Sequence, residues 1–204
     1  QAPDHPSLAY IYNNIGMAHI HTREPDKAIE YLQKAMDIKL KTLGTDYPSV
    51  ATYHHNIGYA HLLKGEVDKA KKNYLKALNI RLKRLGPDHP SVAESYESIA
   101  RVHHKNGEHD KTLEIKRKAL DVMLKRLEAD NPEVVRIHWE IGALYSNKGE
   151  FDKGLEYCQK ALDIRLEKLG KGHPKVIENC LRIAMIYRKK GEYAKGLEWY
   201  MKAA

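Results

Sequence analysis

The 204-residue sequence holds only two cysteines, Cys158 and Cys180. Two are too few for a disulfide framework and point to a reducing, cytoplasmic compartment. No apolar run approaches the ~20 residues that span a bilayer, and no signal-peptide pattern opens at Gln1, so no membrane partner is expected. A phosphate-cradling glycine loop, a pair of catalytic carboxylates and a nucleophile elbow are missing as well. The sequence therefore reads as non-enzymatic, with no catalytic residues and no cofactor.

What is present is periodic. The prolines at 6, 48, 90, 132 and 174 follow one another at 42-residue steps, in the settings His5-Pro6-Ser7, Tyr47-Pro48-Ser49, His89-Pro90-Ser91, Asn131-Pro132-Glu133 and His173-Pro174-Lys175. A fixed period in this range marks stacked structural repeats, each packing on its neighbours. The repeats run approximately over 5–46, 47–88, 89–130, 131–172 and a truncated 173–204, as one array that reads as part of a longer one. Gln1-Ala2-Pro3-Asp4 aligns with Leu85-Gly86-Pro87-Asp88 and reads as the tail of a preceding repeat.

Each repeat carries two amphipathic segments, A and B. Leu8, Ile11, Tyr12 and Ile15 recur at helical spacing, as do Ala28, Ile29, Leu32, Ala35 and Met36. Proline suits the first turn of helix A. Glycines 65, 107, 149 and 191 suit its end, a place that Arg23 takes in the first repeat. Asp26, Asp68, Asp110 and Asp152 are expected as N-caps of helix B. Gly16, Gly58, Ala100, Gly142 and Ala184 recur where helix A must approach helix B, and Ala35, Ala77, Ala119, Ala161 and Ala203 recur on helix B. The fold class that follows is all-α, a right-handed superhelical solenoid of five helix-turn-helix units. In the third repeat Thr112 and Lys116 depart from the pattern and Glu128-Ala129 replaces the stop glycine, so looser packing there, or a helix B running past Leu127, is expected.

Tyr12-Asn13-Asn14-Ile15-Gly16, Lys148-Gly149-Glu150-Phe151-Asp152-Lys153 and Gln159-Lys160-Ala161-Leu162 resemble the tetratricopeptide (TPR) repeat, whose usual period is 34 residues. The 42-residue form, with Leu85-Gly86-Pro87-Asp88-His89-Pro90-Ser91-Val92-Ala93 at the junction, is similar to the repeats of kinesin light chains. The resemblance covers essentially the whole chain. It implies a concave groove lined by one side of the A helices, and a protein-protein interaction scaffold that binds a peptide segment of a partner there. The groove positions include Asn13, Asn14, Asn56, Tyr59, Ser98, Arg101, Arg136, Trp139, Glu140 and Arg182. Asn14 and Asn56 match an asparagine with which this family holds peptide backbone, and Asn13 matches a second. Trp139 is a natural aromatic anchor. Arg101, Arg136 and Arg182 favour acidic residues in the peptide. The two-carboxylate clamp of chaperone-binding relatives is not expected, because Met17, Tyr59, Arg101, Ala143 and Met185 stand where it needs asparagine.

Thirty-five basic against 27 acidic residues leave a net charge of +8. Lys34, Lys76, Lys118, Lys160 and Lys202 recur on the outer face of helix B, four of them one turn after a glutamate, which reads as a mostly solvated face. The groove is near neutral until its last repeat, poor material for a phosphate track, so no specific nucleic-acid partner is expected. His19, His61 and His103 share a repeat position that Tyr145 and Tyr187 fill later, an aromatic-like packing slot rather than a metal site. The cysteines read as small buried hydrophobes. A structural or oligomerisation segment of a larger signalling protein is the alternative reading, and non-specific nucleic-acid binding through the outer face a weaker one. Terminal repeats without polar caps can also self-associate end to end.

Overall fold

The computed structural model of the chain describes residues 6–45 and 47–204. His5 and the segment Gln1-Ala2-Pro3-Asp4 lie outside the described residues. Ten helices and no strand occur among the described residues. The chain divides into two compact bodies, the first ending at Glu108 and the second spanning His109–Ala204.

The N-terminal body holds α1 (Pro6–His21), α2 (Pro25–Leu43), α3 (Pro48–Lys64), α4 (Val67–Leu85) and α5 (Pro90–Lys105). Helix α1 packs on α2, α2 on α3, α3 on α4 and α4 on α5. Leu32, Val50, Tyr53 and Ile57 form its core with Ile20 and Met36. The C-terminal body holds α6 (His109–Leu124), α7 (Pro132–Asn147), α8 (Phe151–Leu169), α9 (Pro174–Lys190) and α10 (Tyr193–Ala203), packed in the same order. Its core joins Leu162, Val176, Ile183 and Ile186 to both cysteines. Cys158 and Cys180 are free and buried, and burial pushes the Cys158 thiol up to about 12, so neither is poised as a nucleophile.

The proline rhythm has a capping partner. The Nδ1 atoms of His89 and His173 accept the backbone N–H of Ser91 and Lys175, and Asn131 Oδ1 accepts that of Glu133. Each caps a helix whose first residue is proline, which has no N–H to satisfy. Helix α3 ends at Gly65 in the left-handed region, φ +86°. After α1 the same bend falls on Arg23, φ +58°, where a Cβ makes the conformation costly.

The aspartates expected as N-caps lie two residues too far along. The N-caps of α2, α4, α8 and α10 are Glu24, Glu66, Glu150 and Glu192, none with a side-chain cap bond. Asp26, Asp68, Asp110 and Asp152 sit in the first turn, where a carboxylate favours the helix dipole. The reason is the tight entry: ψ at these N-caps is 61–70°, not extended, and the glutamates turn back toward the preceding helix. Three of the aspartates instead take a lysine from the next repeat. Lys64 reaches Asp26 at 2.6 Å, and Lys148 and Lys190 reach Asp110 and Asp152.

The small residues stand at close crossings. A Cβ on Gly142 would lie 2.6 Å from the sulfur of Cys158 and 2.9 Å from the carbonyl oxygen of Gly154. In the third repeat the expected overrun of helix B does not occur. Helix α6 stops at Leu124, because the Met123 carbonyl accepts both Arg126 N–H (3.0 Å) and Leu127 N–H (2.8 Å), which tightens the last turn. Lys116, unexpected among apolar neighbours, reaches the carboxylate of Glu140.

Candidate functional site

In the N-terminal body, α1 and α3 bring two of the candidate asparagines together. Asn56 Nδ2 donates to Asn13 Oδ1 at 3.3 Å. That bond leaves Asn13 with its amide donors and Asn56 with its carbonyl acceptor. Asn14 is exposed on α1. Tyr59 lines an open cleft of about 470 Å³ with Met17, Ile20, His21 and Leu63. Arg101 is exposed on α5, whereas Ser98 on the same helix is 3% exposed and its hydroxyl is out of a partner's reach.

The C-terminal body gathers the rest. The guanidinium of Arg182 on α9 lies 3.4 Å above the ring of Trp139 on α7. The carboxylate of Glu178 holds Arg182 from one turn below, Nε to Oε1 at 3.1 Å. Arg136 bonds Glu133 and Glu140, each at 2.6 Å. Burial would raise the Glu140 carboxyl, but Lys116 and Arg136 outweigh it and hold the group below its usual range. Two open clefts meet at the Trp139–Arg182 pair. One, about 380 Å³, is lined by Ala143, Ser146, Met185, Ile186 and Lys189 besides the pair. The other, about 270 Å³, adds Arg136, Glu140, Arg165, Glu178 and Asn179.

Two kinds of residue escaped sequence reasoning. Arg165 and Asn179 belong to the second cleft, with Arg165 donating to Asn179 Oδ1 at 2.7 Å. Their signal was spacing: Arg81 and Ser95 stand 84 residues earlier and make the same contact at 2.8 Å. The histidine slot was also half read. His19 does stack on Tyr31 (5.6 Å, 15°) much as Tyr145 stacks on Tyr157 (5.7 Å, 28°). But His19, His61 and His103 each also bond a glutamate five residues on, Glu24, Glu66 and Glu108. The His61 bond, with Lys69 and Lys64, holds the Glu66 carboxyl down to about 2.

The clefts offer an aromatic ring, aliphatic side chains, cations on fixed stems and a pair of amides, which is the equipment of recognition.

The tetratricopeptide repeat model matches residues 7–83, 49–125 and 133–204. A comparison with curated proteins finds no match. Among solved structures, the nearly identical TPR-like repeats of a Podospora anserina protein described as a kinesin light chain superpose with a TM-score of 0.84 at 22% identity, covering 98% of this chain and 94% of that one. BtubC (BKLC) from P. vanneervenii gives 0.68 at 15% identity, covering 100% and 90%. The apo form of RapI gives 0.80 at 18% identity, covering 96% of this chain and 52% of that one. No helix of the described residues is long and apolar enough to cross a membrane.

Proposed function

The chain belongs to the tetratricopeptide repeat family, and from that premise we propose that it is a non-catalytic scaffold whose A helices hold an extended peptide segment of a partner protein. The observation that carries this reading is the larger cleft beside Trp139. Its eight lining residues include two cations, Arg182 and Lys189, and no carboxylate. Its floor is Ala143, Met185 and Ile186. Such a site takes an apolar side chain next to an acidic one. Arg182 is already stacked on the indole, so little side-chain freedom is lost when a carboxylate reaches it. Arg136 adds a further cation on the same face.

In the N-terminal body the asparagine pair supports backbone capture. Asn13 retains donors and Asn56 an acceptor, which match the C=O and N–H of one peptide unit, while Tyr59 offers its cleft to a side chain. Asn14 and Arg101 flank this face. Two free, buried cysteines fit a reducing cytoplasm. Leu197 and Met201, exposed on α10, support self-association of the isolated chain through that helix; sedimentation showing a strict monomer at high concentration would remove that part.

Selection from a displayed random-peptide library tests the main reading. Wild-type protein should enrich sequences with an acidic residue beside an apolar one, and Trp139→Ala should not recover them. Equal recovery by both proteins sinks the cleft assignment. No enrichment at all would leave a structural or oligomerisation repeat as the better description.

A further inference from the structure

The outer face of α4 differs from that of every other B helix. Helix α4 carries seven cations, Lys69, Lys71, Lys72, Lys76, Arg81, Lys83 and Arg84, against one carboxylate, Asp68. Helix α2 carries four cations and three carboxylates, and α8 four of each. Most of the net charge of +8 is thus concentrated on one helix of 19 residues.

The origin is a set of departures from the repeat. Where Glu30, Glu114, Glu156 and Glu198 stand in the other repeats, the second has Lys72. Where Asp37, Asp121 and Asp163 stand, it has Asn79. In the first, third and fourth repeats the glutamate binds the lysine one turn on: Glu30 to Lys34, Glu114 to Lys118 and Glu156 to Lys160, at 2.6–2.7 Å. In α4 that stabilising pair is exchanged for a like-charged one, Lys72 and Lys76, which disfavours the helix. Both are exposed and neither has an ion-pair partner among the described residues. Lys69, Lys72, Lys76 and Lys83 fall on one side of the helix and span about 21 Å at 1.5 Å per residue. Leu75, beside them, is 40% exposed, where Gln33 and Gln159 stand in the first and fourth repeats.

We propose that this face of α4 is a second docking surface, whose partner is an acidic amphipathic helical segment of another protein. Charge complementarity calls for glutamates at one-turn spacing, and Leu75 calls for an apolar residue beside them. A nucleic-acid backbone would use the lysines but not the leucine, and the stripe carries no arginine or exposed aromatic on which bases stack. One leucine is too little apolar surface to enter a bilayer. The surface lies on a B helix and is separate from the A-helix faces that hold peptide in the proposed function, so the two stand or fall independently.

The test is titration of the whole protein with a synthetic helical peptide carrying glutamates at i, i+4, i+7 and i+11 and leucines alongside. A twenty-nucleotide oligothymidine and phosphatidylserine-containing vesicles serve as parallel probes. The peptide should bind wild type, more weakly as salt is raised. Lys72→Glu should weaken it by about tenfold, and Lys72→Glu with Lys76→Gln by more. Lys72→Glu recreates the Glu30–Lys34 arrangement and should melt no lower than wild type, so a loss of binding cannot be a loss of fold. Trp139→Ala should bind the peptide as wild type does. Tighter binding of the oligonucleotide or the vesicles than of the peptide at 150 mM salt (~8 Å screening length), no peptide binding, or unchanged binding by Lys72→Glu overturns the proposal.

Discussion

Two sites 84 residues apart use the same repeat positions to opposite ends. In the N-terminal body, Arg81 is 5% exposed and donates to the Ser91 carbonyl and the Ser95 hydroxyl, each at 2.8 Å, with Glu94 at 3.0 Å. His55 stands 3.5 Å from the same glutamate. Its counterpart in the C-terminal body is Arg165, which donates to the Lys175 carbonyl (3.2 Å) and to Asn179. Glu178, however, the counterpart of Glu94, has turned to Arg182. Arg182 occupies the position of Ser98, and Trp139 that of His55. With a serine there, the glutamate stays with a structural arginine. An arginine draws the glutamate outward, stacks on the indole and leaves open clefts. Exchanged side chains at these few positions separate a buried strut from an open cleft.

The sharpest way to break this contrast is to remove each structural arginine. Arg81→Ala should cost about 2–3 kcal/mol, because charge-assisted bonds and a buried stem are lost together. Arg165→Ala, partly exposed and without its own carboxylate contact, should cost about 1 kcal/mol. Urea unfolding midpoints of the two variants measure the difference, and equal shifts would erase the distinction.

Arg182→Ser gives this position the residue of its counterpart, Ser98. Glu178 is released toward Arg165 and the indole loses its stacked cation. Capture of the selected peptides should weaken by about 2 kcal/mol, roughly thirtyfold, with thermal stability little changed. Peptide titration by fluorescence anisotropy reads it, and unchanged affinity would show that Arg182 only covers Trp139.

Equivalent glycines probe the packing beneath each site. Alanine gains up to ~1 kcal/mol of helix propensity over glycine. At Gly58 the new Cβ would meet the ring of Tyr74 at 3.0 Å and the Ala70 carbonyl oxygen at 3.2 Å, looser contacts that a shift of a few tenths of an ångström relieves, so Gly58→Ala should be near neutral. At Gly142 it would meet a backbone carbonyl at 2.9 Å as well as a sulfur, and Gly142→Ala should lose about 1 kcal/mol net. Thermal melts of both variants check the order.

The smallest effect is on pH. Burial lowers the His55 imidazole below its usual value, partly offset by Glu94 and reinforced by Arg81 and Arg101. A depressed histidine favours folding above its unfolded value of ~6.5, and that contribution is lost as pH falls through the folded value. His54 and His138 are both lowered by burial at equivalent positions, so they shift the two bodies alike. Trp139 does not titrate. Amide exchange in α3 should therefore speed up relative to α7 on acidification below pH ~6.5, and His55→Gln should remove the difference.

Much of the fold was legible because its signals are local. Proline at a first helical position, glycine at a left-handed bend and a small residue at a crossing each act within a turn or two. The N-cap error was local too: glutamate and aspartate lie two residues apart, and only the ψ of the entering residue settles which one caps. The candidate site was legible by position but not by contact. Asn13 and Asn56, and Trp139 and Arg182, lie 43 residues apart, one period plus a single residue. That spacing is where neighbouring A helices touch, and it could have been searched for. The burial of Ser98 had no such signal, since a serine suits a wet or a dry position equally.

The sequence by itself determined which residues are equivalent, because a 42-residue period forces every helix pair into one pattern of burial. It also determined the composition of each outer face, α4 included. Tertiary structure alone decided which partner each charge takes. Glu178 lies near two arginines, and a Coulomb attraction does not choose between them from residue identity. The choice falls to Arg182 because Trp139, brought in from the preceding A helix, gives its planar guanidinium a surface on which to rest.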